Sequence, residues 1–135
     1  MKKSSLIILF IFITSAAVTF YNCSKDLVET PITPNVNHAP NIPSDPSPAD
    51  NAINVPRFVF LSWTCTDPDA GDTLWFDIYM GTSNPPVTLV GPNILTNSYD
   101  VGLVPSSTTL YWKVVAKDNH NSFTEGQVWC FTTSN

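Results

Sequence analysis

The side chains best placed to do chemistry in this chain are acids in two short segments. Asp67-Pro68-Asp69-Ala70-Gly71-Asp72 puts three carboxylates close together, and Asp118-Asn119-His120-Asn121 adds a fourth beside two amides and an imidazole. Hard oxygen donors at close quarters suit Ca²⁺, which takes about six to eight of them. The spacing lacks the turn glycine and terminal glutamate of a helix–loop–helix Ca²⁺ loop. The same residue types also close turns, a carboxylate oxygen accepting a nearby backbone N–H. Two readings therefore stand for Asp67, Asp69, Asp72 and Asp118: a Ca²⁺ site, or turn caps carrying solvated charge.

Other chemistries find too few parts. The two histidines, His38 and His120, lie in a linker-like stretch and a loop-like stretch. Cys65 and Cys130 have no second cysteine near either, so zinc-ligand spacing is missing. The five glycines are scattered, which leaves no phosphate-cradling loop. No nucleophile–base–acid set is spelled out. The residues support a non-enzymatic protein, and no cofactor beyond that Ca²⁺ is implied.

The elements that must hold these residues are strands. With 12 prolines, 12% aromatic residues and no 3.6-residue period anywhere, the chain favours β-structure over helix. Phe58 to Thr66 alternates, with Val59, Leu61, Trp63 and Cys65 on one face and Phe58, Phe60, Ser62 and Thr64 on the other. Leu74 to Met80 turns Phe76, Ile78 and Met80 to one side. Val87 to Val90 and Ser98 to Val101 are short strands. Thr109 to Lys117 directs Leu110, Trp112, Val114 and Ala116 inward, and Gln127 to Thr132 does so with Trp129 and Phe131. A proline-rich edge strand near Pro40–Pro46 makes seven. Seven short strands between turn signals predict an all-β, antiparallel two-sheet sandwich over residues 40–135. Three inward tryptophans supply its core, each burying roughly 150–250 Å².

The motifs carry a resemblance. Leu61-Ser62-Trp63, Asp67-Pro68-Asp69, Tyr79-Met80-Gly81-Thr82, Leu103 with Pro105, Tyr111 to Asp118 and Val128 to Thr133 are arranged over Pro40–Thr133 as in a bacterial fibronectin type III domain. The chain resembles that member of the immunoglobulin-like class over nearly all of its folded part. One position departs: Leu110 stands where the family usually places a tyrosine that closes a corner. The resemblance implies that the loops after the second and sixth expected strands share a pole, which would gather Asp67, Asp69, Asp72 and Asp118. It also implies that Cys65 and Cys130 lie in opposite sheets. Alternation points Cys65 inward and Cys130 outward, so no disulfide is expected between them.

A second candidate is a surface. Trp75, Tyr79, Tyr111 and Val115 fall on the outward side of adjacent strands, with Val128 and Cys130 extending the same face. A contiguous apolar face marks a protein or sugar platform. Outward aromatics also stabilise a sheet through cross-strand pairs.

The N-terminus reads as an address. Lys2 and Lys3 precede the apolar run Leu6–Ile13, and no charge intervenes before Lys25, as in a secretory signal peptide over residues 1–22. Cys23, followed by Ser24-Lys25-Asp26, resembles the lipid-bearing cysteine of bacterial lipoproteins of the Bacteroidota type, where acidic residues after the cysteine accompany surface export. Cleavage near Ser15-Ala16-Ala17 and retention as an uncleaved anchor are the alternatives. Residues 23–39 read as a proline-containing flexible linker; from Ser24 to Ala39 it would reach on the order of 50 Å if extended. Loss of residues 1–22 leaves four basic against eleven acidic residues. That balance disfavours nucleic acid as a partner. The expected protein is an exported, outer-membrane or surface lipoprotein. It would present one binding or structural module to a protein or glycan. The alternative is a carbohydrate-binding accessory module that uses the aromatic face.

Overall fold

The computed structural model describes residues 36–135. The leader read over residues 1–22, Cys23 and most of the linker lie outside the described residues. Among the described residues there are nine strands and no helix. They are β1 Ser44–Ser47, β2 Ala52–Val55, β3 Phe58–Thr64, β4 Trp75–Gly81, β5 Leu89–Ile94, β6 Ser98–Leu103, β7 Thr109–Lys117, β8 Phe123–Glu125 and β9 Trp129–Thr133.

These strands form two sheets. One holds three strands in the order β1-β3-β6; the other runs β2-β9-β7-β4-β5, with β8 also paired to β7. The two-sheet split is that of an immunoglobulin-like, fibronectin type III-like sandwich. The core lies between the sheets. Val59, Leu61 and Trp63 of β3 meet Phe76, Ile78 and Met80 of β4, Leu110, Trp112, Val114 and Ala116 of β7, and Trp129 and Phe131 of β9. Trp63 stands edge-on to Phe76 at 5.2 Å between centroids, and Trp112 packs on Trp129 at 4.8 Å. Every inward face read from alternation is inward here, because period two admits only one choice once one side is buried.

The strand list corrects the expected seven. β2 was not read because four residues, Ala-Ile-Asn-Val, carry no alternation. It is held by a parallel pairing to β9, Ala52 opposite Phe131 and Val55 opposite Thr133, so the sandwich is not wholly antiparallel. The single strand expected over Gln127–Thr132 is one of two segments lying along β7. β9 pairs its first half and β8 its last. The break between them is Gly126, whose N–H donates to Val114 O at 2.8 Å; a Cβ there would meet that same oxygen at 2.8 Å. The strand expected at Val87–Val90 is shifted to Leu89–Ile94 and passes through Gly91-Pro92. It tolerates them because it is an edge strand, where a missing N–H is harmless. Gly91 also leaves room for the Tyr99 ring, which a Cβ would approach to 2.9 Å, and Tyr99 OH donates to Val90 O. The edge strand expected near Pro40–Pro46 begins at Ser44.

Leu110 is buried in the core, and a threonine closes the neighbouring corner. Thr133 Oγ1 donates to Pro105 O at 2.8 Å and accepts the Thr108 N–H at 2.9 Å. Four of the edge strands are irregular. Asp45 in β1, Asn54 in β2, Asn93 in β5 and Gly102 in β6 have positive φ, and Pro46 and Pro92 interrupt two of the same strands.

Candidate functional site

The loop after β3 and the loop after β7 do share a pole. Asp67, Asp69 and Asp72 bring one oxygen each within 4.8 Å of one another. Asp118 is not part of that group. It is 4% exposed and serves as a buried hub: its carboxylate accepts the His120 and Ser122 N–H groups and the Asn37 side-chain amide, each at 2.8 Å. Burial alone would raise its pKa; the bonds from Asn37, Ser122 and His120 outweigh that and hold the carboxyl below its usual range.

Both histidines sit at this pole, each on a different carboxylate. His38 donates its backbone N–H to Asp69 and brings Nδ1 to 3.0 Å from the same side chain. Hydrogen bonding to Asp69 and its negative charge raise the His38 pKa, and the His38 amide and ring lower that of Asp69. His120 Nδ1 lies 3.1 Å from Asp72. Asp67 Oδ1 accepts the Asp69 N–H at 2.8 Å, and Asn119 Oδ1 accepts the Thr73 N–H at 3.0 Å. Asp69 and Asp72 are thus already engaged, and the cluster works as a clasp. It ties the incoming segment Asn37–His38 and the two loops to one end of the sandwich. Sequence reasoning treated His38 as solvated linker because its partner is 31 residues away.

The predicted platform residues share one face. Trp75 and Tyr79 from β4 and Tyr111 and Val115 from β7 are all half-buried on the outer side of the six-stranded sheet. The structure does not make them one continuous apolar patch, because lysines alternate with them. Lys113 lies opposite Tyr79, with its ammonium 5.3 Å from the ring centroid and paired to Glu125. Lys117 lies opposite Trp75 and donates to Asp77 and Asn93, each at 2.8 Å. Two grooves open here. One, of about 300 Å³, is lined by Trp75, Asn93, Lys117, Asp118, Asn121, Ser122 and Phe123. The other, of about 390 Å³, is lined by Tyr79, Pro86, Val87, Lys113, Val115, Phe123 and Glu125. Phe123, 66% exposed, is the ridge between them. It escaped the sequence reading because β8 is only three residues long and follows a run of turn formers.

A second exposed surface was also missed. Phe58 and Phe60 on the outer side of β3 are 77% and 58% exposed, and Leu103, directly opposite Phe58, is 59% exposed. The signal was present: both phenylalanines alternate with core residues. Cys65 and Cys130 are free thiols. Cys65 Sγ donates to Asn41 O at 3.2 Å and Cys130 Sγ to Asn51 Oδ1 at 3.3 Å. Burial, with the Asp67 charge adding to it, pushes the Cys65 thiol up to about 11, so it is a thiol and not a thiolate at neutral pH.

No family model matches this chain, and no curated protein matches it. Solved structures do. An α-L-rhamnosidase from Dictyoglumus thermophilum is similar over 73% of this chain and 12% of its own, at 16% identity and a TM-score of 0.54. An α-L-rhamnosidase from Streptomyces avermitilis, solved with L-rhamnose, is similar over 71% of this chain and 10% of its own, at 14% identity and a TM-score of 0.50. The fibronectin type-III domain of human fibronectin type III domain containing protein 3 is similar over 73% of this chain and 90% of its own, at 20% identity and a TM-score of 0.47. This chain spans about a tenth of each rhamnosidase, and those likenesses are of fold. The all-β, fibronectin type III-like sandwich rests on the sheet order described above.

Proposed function

We propose that this protein is a non-enzymatic binding module of the cell envelope. It is exported, held through a lipid on Cys23, and presents the outer face of its six-stranded sheet to a protein or a glycan. The binding reading rests on the pair of grooves either side of Phe123, where aromatic walls and hydrogen-bonding groups converge on a rigid sheet. The anchor reading is supported by the basic start, the apolar run and the Cys-Ser-Lys-Asp sequence. A narrower reading, a carbohydrate-binding accessory module, draws on the aromatic walls of the same grooves.

Retention of the purified protein on envelope preparations of its source organism tests the module. Wild type should be retained, and a Trp75→Ala/Tyr79→Ala variant should be lost. Pretreatment of the preparation with protease or with periodate tells a protein ligand from a glycan. Retention that ignores the double variant defeats the reading of this face. Cys23→Ser should shift the protein out of the membrane fraction and leave the precursor at full length; unchanged fractionation and size defeat the lipid anchor.

A further inference from the structure

We propose that the groove between Trp75 and Phe123 seats one ring of an uncharged glycan chain, an inference that rests on the reading of this sheet face as a binding surface. A pyranose has two flat C–H faces and a rim of hydroxyls. It is held best by an aromatic face on each side and donors and acceptors along its edge.

The register builds such a slot. Trp75 on β4 is opposite Lys117 on β7, and Lys117 is opposite Phe123 on β8. The two aromatic residues are therefore two strand spacings apart, roughly 10 Å between backbones. One flat ring with a stacking contact of about 3.5–4 Å on either side needs roughly 7–8 Å between the aromatic walls. Lys117 forms the floor between them.

The polar groups around the slot suit hydroxyls. An ammonium has three N–H donors, and Lys117 commits two, to Asp77 and Asn93. Lys117 keeps a third N–H and Asn93 its side-chain N–H₂, and both residues line the groove together with Asn121. Charge selects against an anionic sugar. The Lys117 charge is matched by Asp77, Asp118 also borders the groove, and residues 36–135 carry three Lys/Arg against nine Asp/Glu. The second groove, across Phe123, gives room for the next ring, so the ligand is a chain and not a free monosaccharide.

Calorimetric titration of the full-length protein tests this. The probes are neutral hexasaccharides of β-1,4-glucan, β-1,4-xylan, β-1,4-mannan and α-1,4-glucan, with hexagalacturonate as the anionic counterpart. At least one neutral probe should bind with a Kd of about 1 mM or tighter. Trp75→Ala and Phe123→Ala should each weaken it about tenfold or more, while Trp75→Phe should retain it. Tyr111→Ala, on the same face outside the slot, should change Kd by less than about twofold. Unshifted melting of Phe123→Ala will show that its loss is not unfolding. The proposal is overturned if no neutral probe binds, if binding survives both alanine variants, or if hexagalacturonate binds best. Sugar failure together with Trp75-dependent, protease-sensitive retention on envelopes leaves the binding face standing and removes only the glycan. Retention independent of this face removes both.

Discussion

The two outward sheet faces treat their aromatic residues in opposite ways. On the six-stranded sheet, Trp75, Tyr79 and Tyr111 are half-buried because β4 and β7 each have neighbours on both sides. Lys113 and Lys117 also lie between the rings, their apolar stems over the surface and their charges paired to Glu125 and Asp77. On the three-stranded sheet, β3 is the interior strand. Its outward aromatics have little to cover them: Phe60 faces Asp100, Phe58 faces Leu103, and β1 pairs with β3 only at Ser62 and Thr64, past both phenylalanines. Phe58, Phe60 and Leu103 therefore stand bare. Outward apolar residues do not by themselves make a platform. The width of the sheet and the cross-strand partners decide whether a ring becomes a groove wall or an uncovered patch.

The largest expected effect lies beneath both faces. Trp112 is wholly buried between the sheets, so Trp112→Ala should cost about 3–5 kcal/mol in urea unfolding. The pair Phe58→Ala/Phe60→Ala should cost less than about 1 kcal/mol. A core-sized loss from that pair would mean that the three-stranded face is covered in solution. Lys113→Ala removes the ammonium from over Tyr79 and the pair with Glu125. It should lower stability by about 0.5–1 kcal/mol and raise binding of a fluorescent apolar dye at the six-stranded face. No change in dye binding would mean that the lysine is not the cover.

Two smaller effects concern the pole where the two loops meet. His38 titrates above its ordinary 6.5, so its tie to Asp69 is complete below that pH and is lost as pH rises through the raised value. Asp69 titrates below its ordinary 3.8, so its contribution is present above that pH and is lost as pH falls through the lowered value. An NMR titration of the His38 ring should show the elevation, and Asp69→Asn should return it towards 6.5. An unshifted ring in wild type would dissolve the clasp. With Asp69 and Asp72 held by histidines, millimolar Ca²⁺ should move the melting temperature by less than about 1 °C relative to chelator. A rise of several degrees would instead establish the Ca²⁺ site.

Strands with full alternation and bulky inward residues were legible from the sequence, because burial of one side fixes their faces without knowledge of a partner. β3, β4 and β7 fell within a residue or two of their expected spans, and the inward pair Trp129 and Phe131 was placed correctly. β2 and β8 were not legible. Each is short, and each exists only because another strand offers an edge to it. The same distinction runs through the candidate sites. The gathering of Asp67, Asp69 and Asp72 is local and could be read from spacing. The diversion of Asp118 into a buried hub depends on Asn37, 81 residues away, and the Trp75–Phe123 slot depends on a register across three strands. Contacts over such separations leave no periodic trace in a single sequence.

The left-handed residues on the sheet edges bear on how densely such a module can be displayed. If the protein is anchored as proposed, copies crowded in the plane of a membrane would meet at their borders, where a straight exposed strand would template the next copy into a continuing ladder. Asp45, Asn54, Asn93 and Gly102 each turn the backbone out of the extended conformation on an outermost strand, so none of these four strands offers an uninterrupted row of donors and acceptors. Lateral zippering stalls at those four strands, and β8, also paired on one side only, has just 3 residues to offer. Molecules anchored in the proposed way would stay a population of separate units.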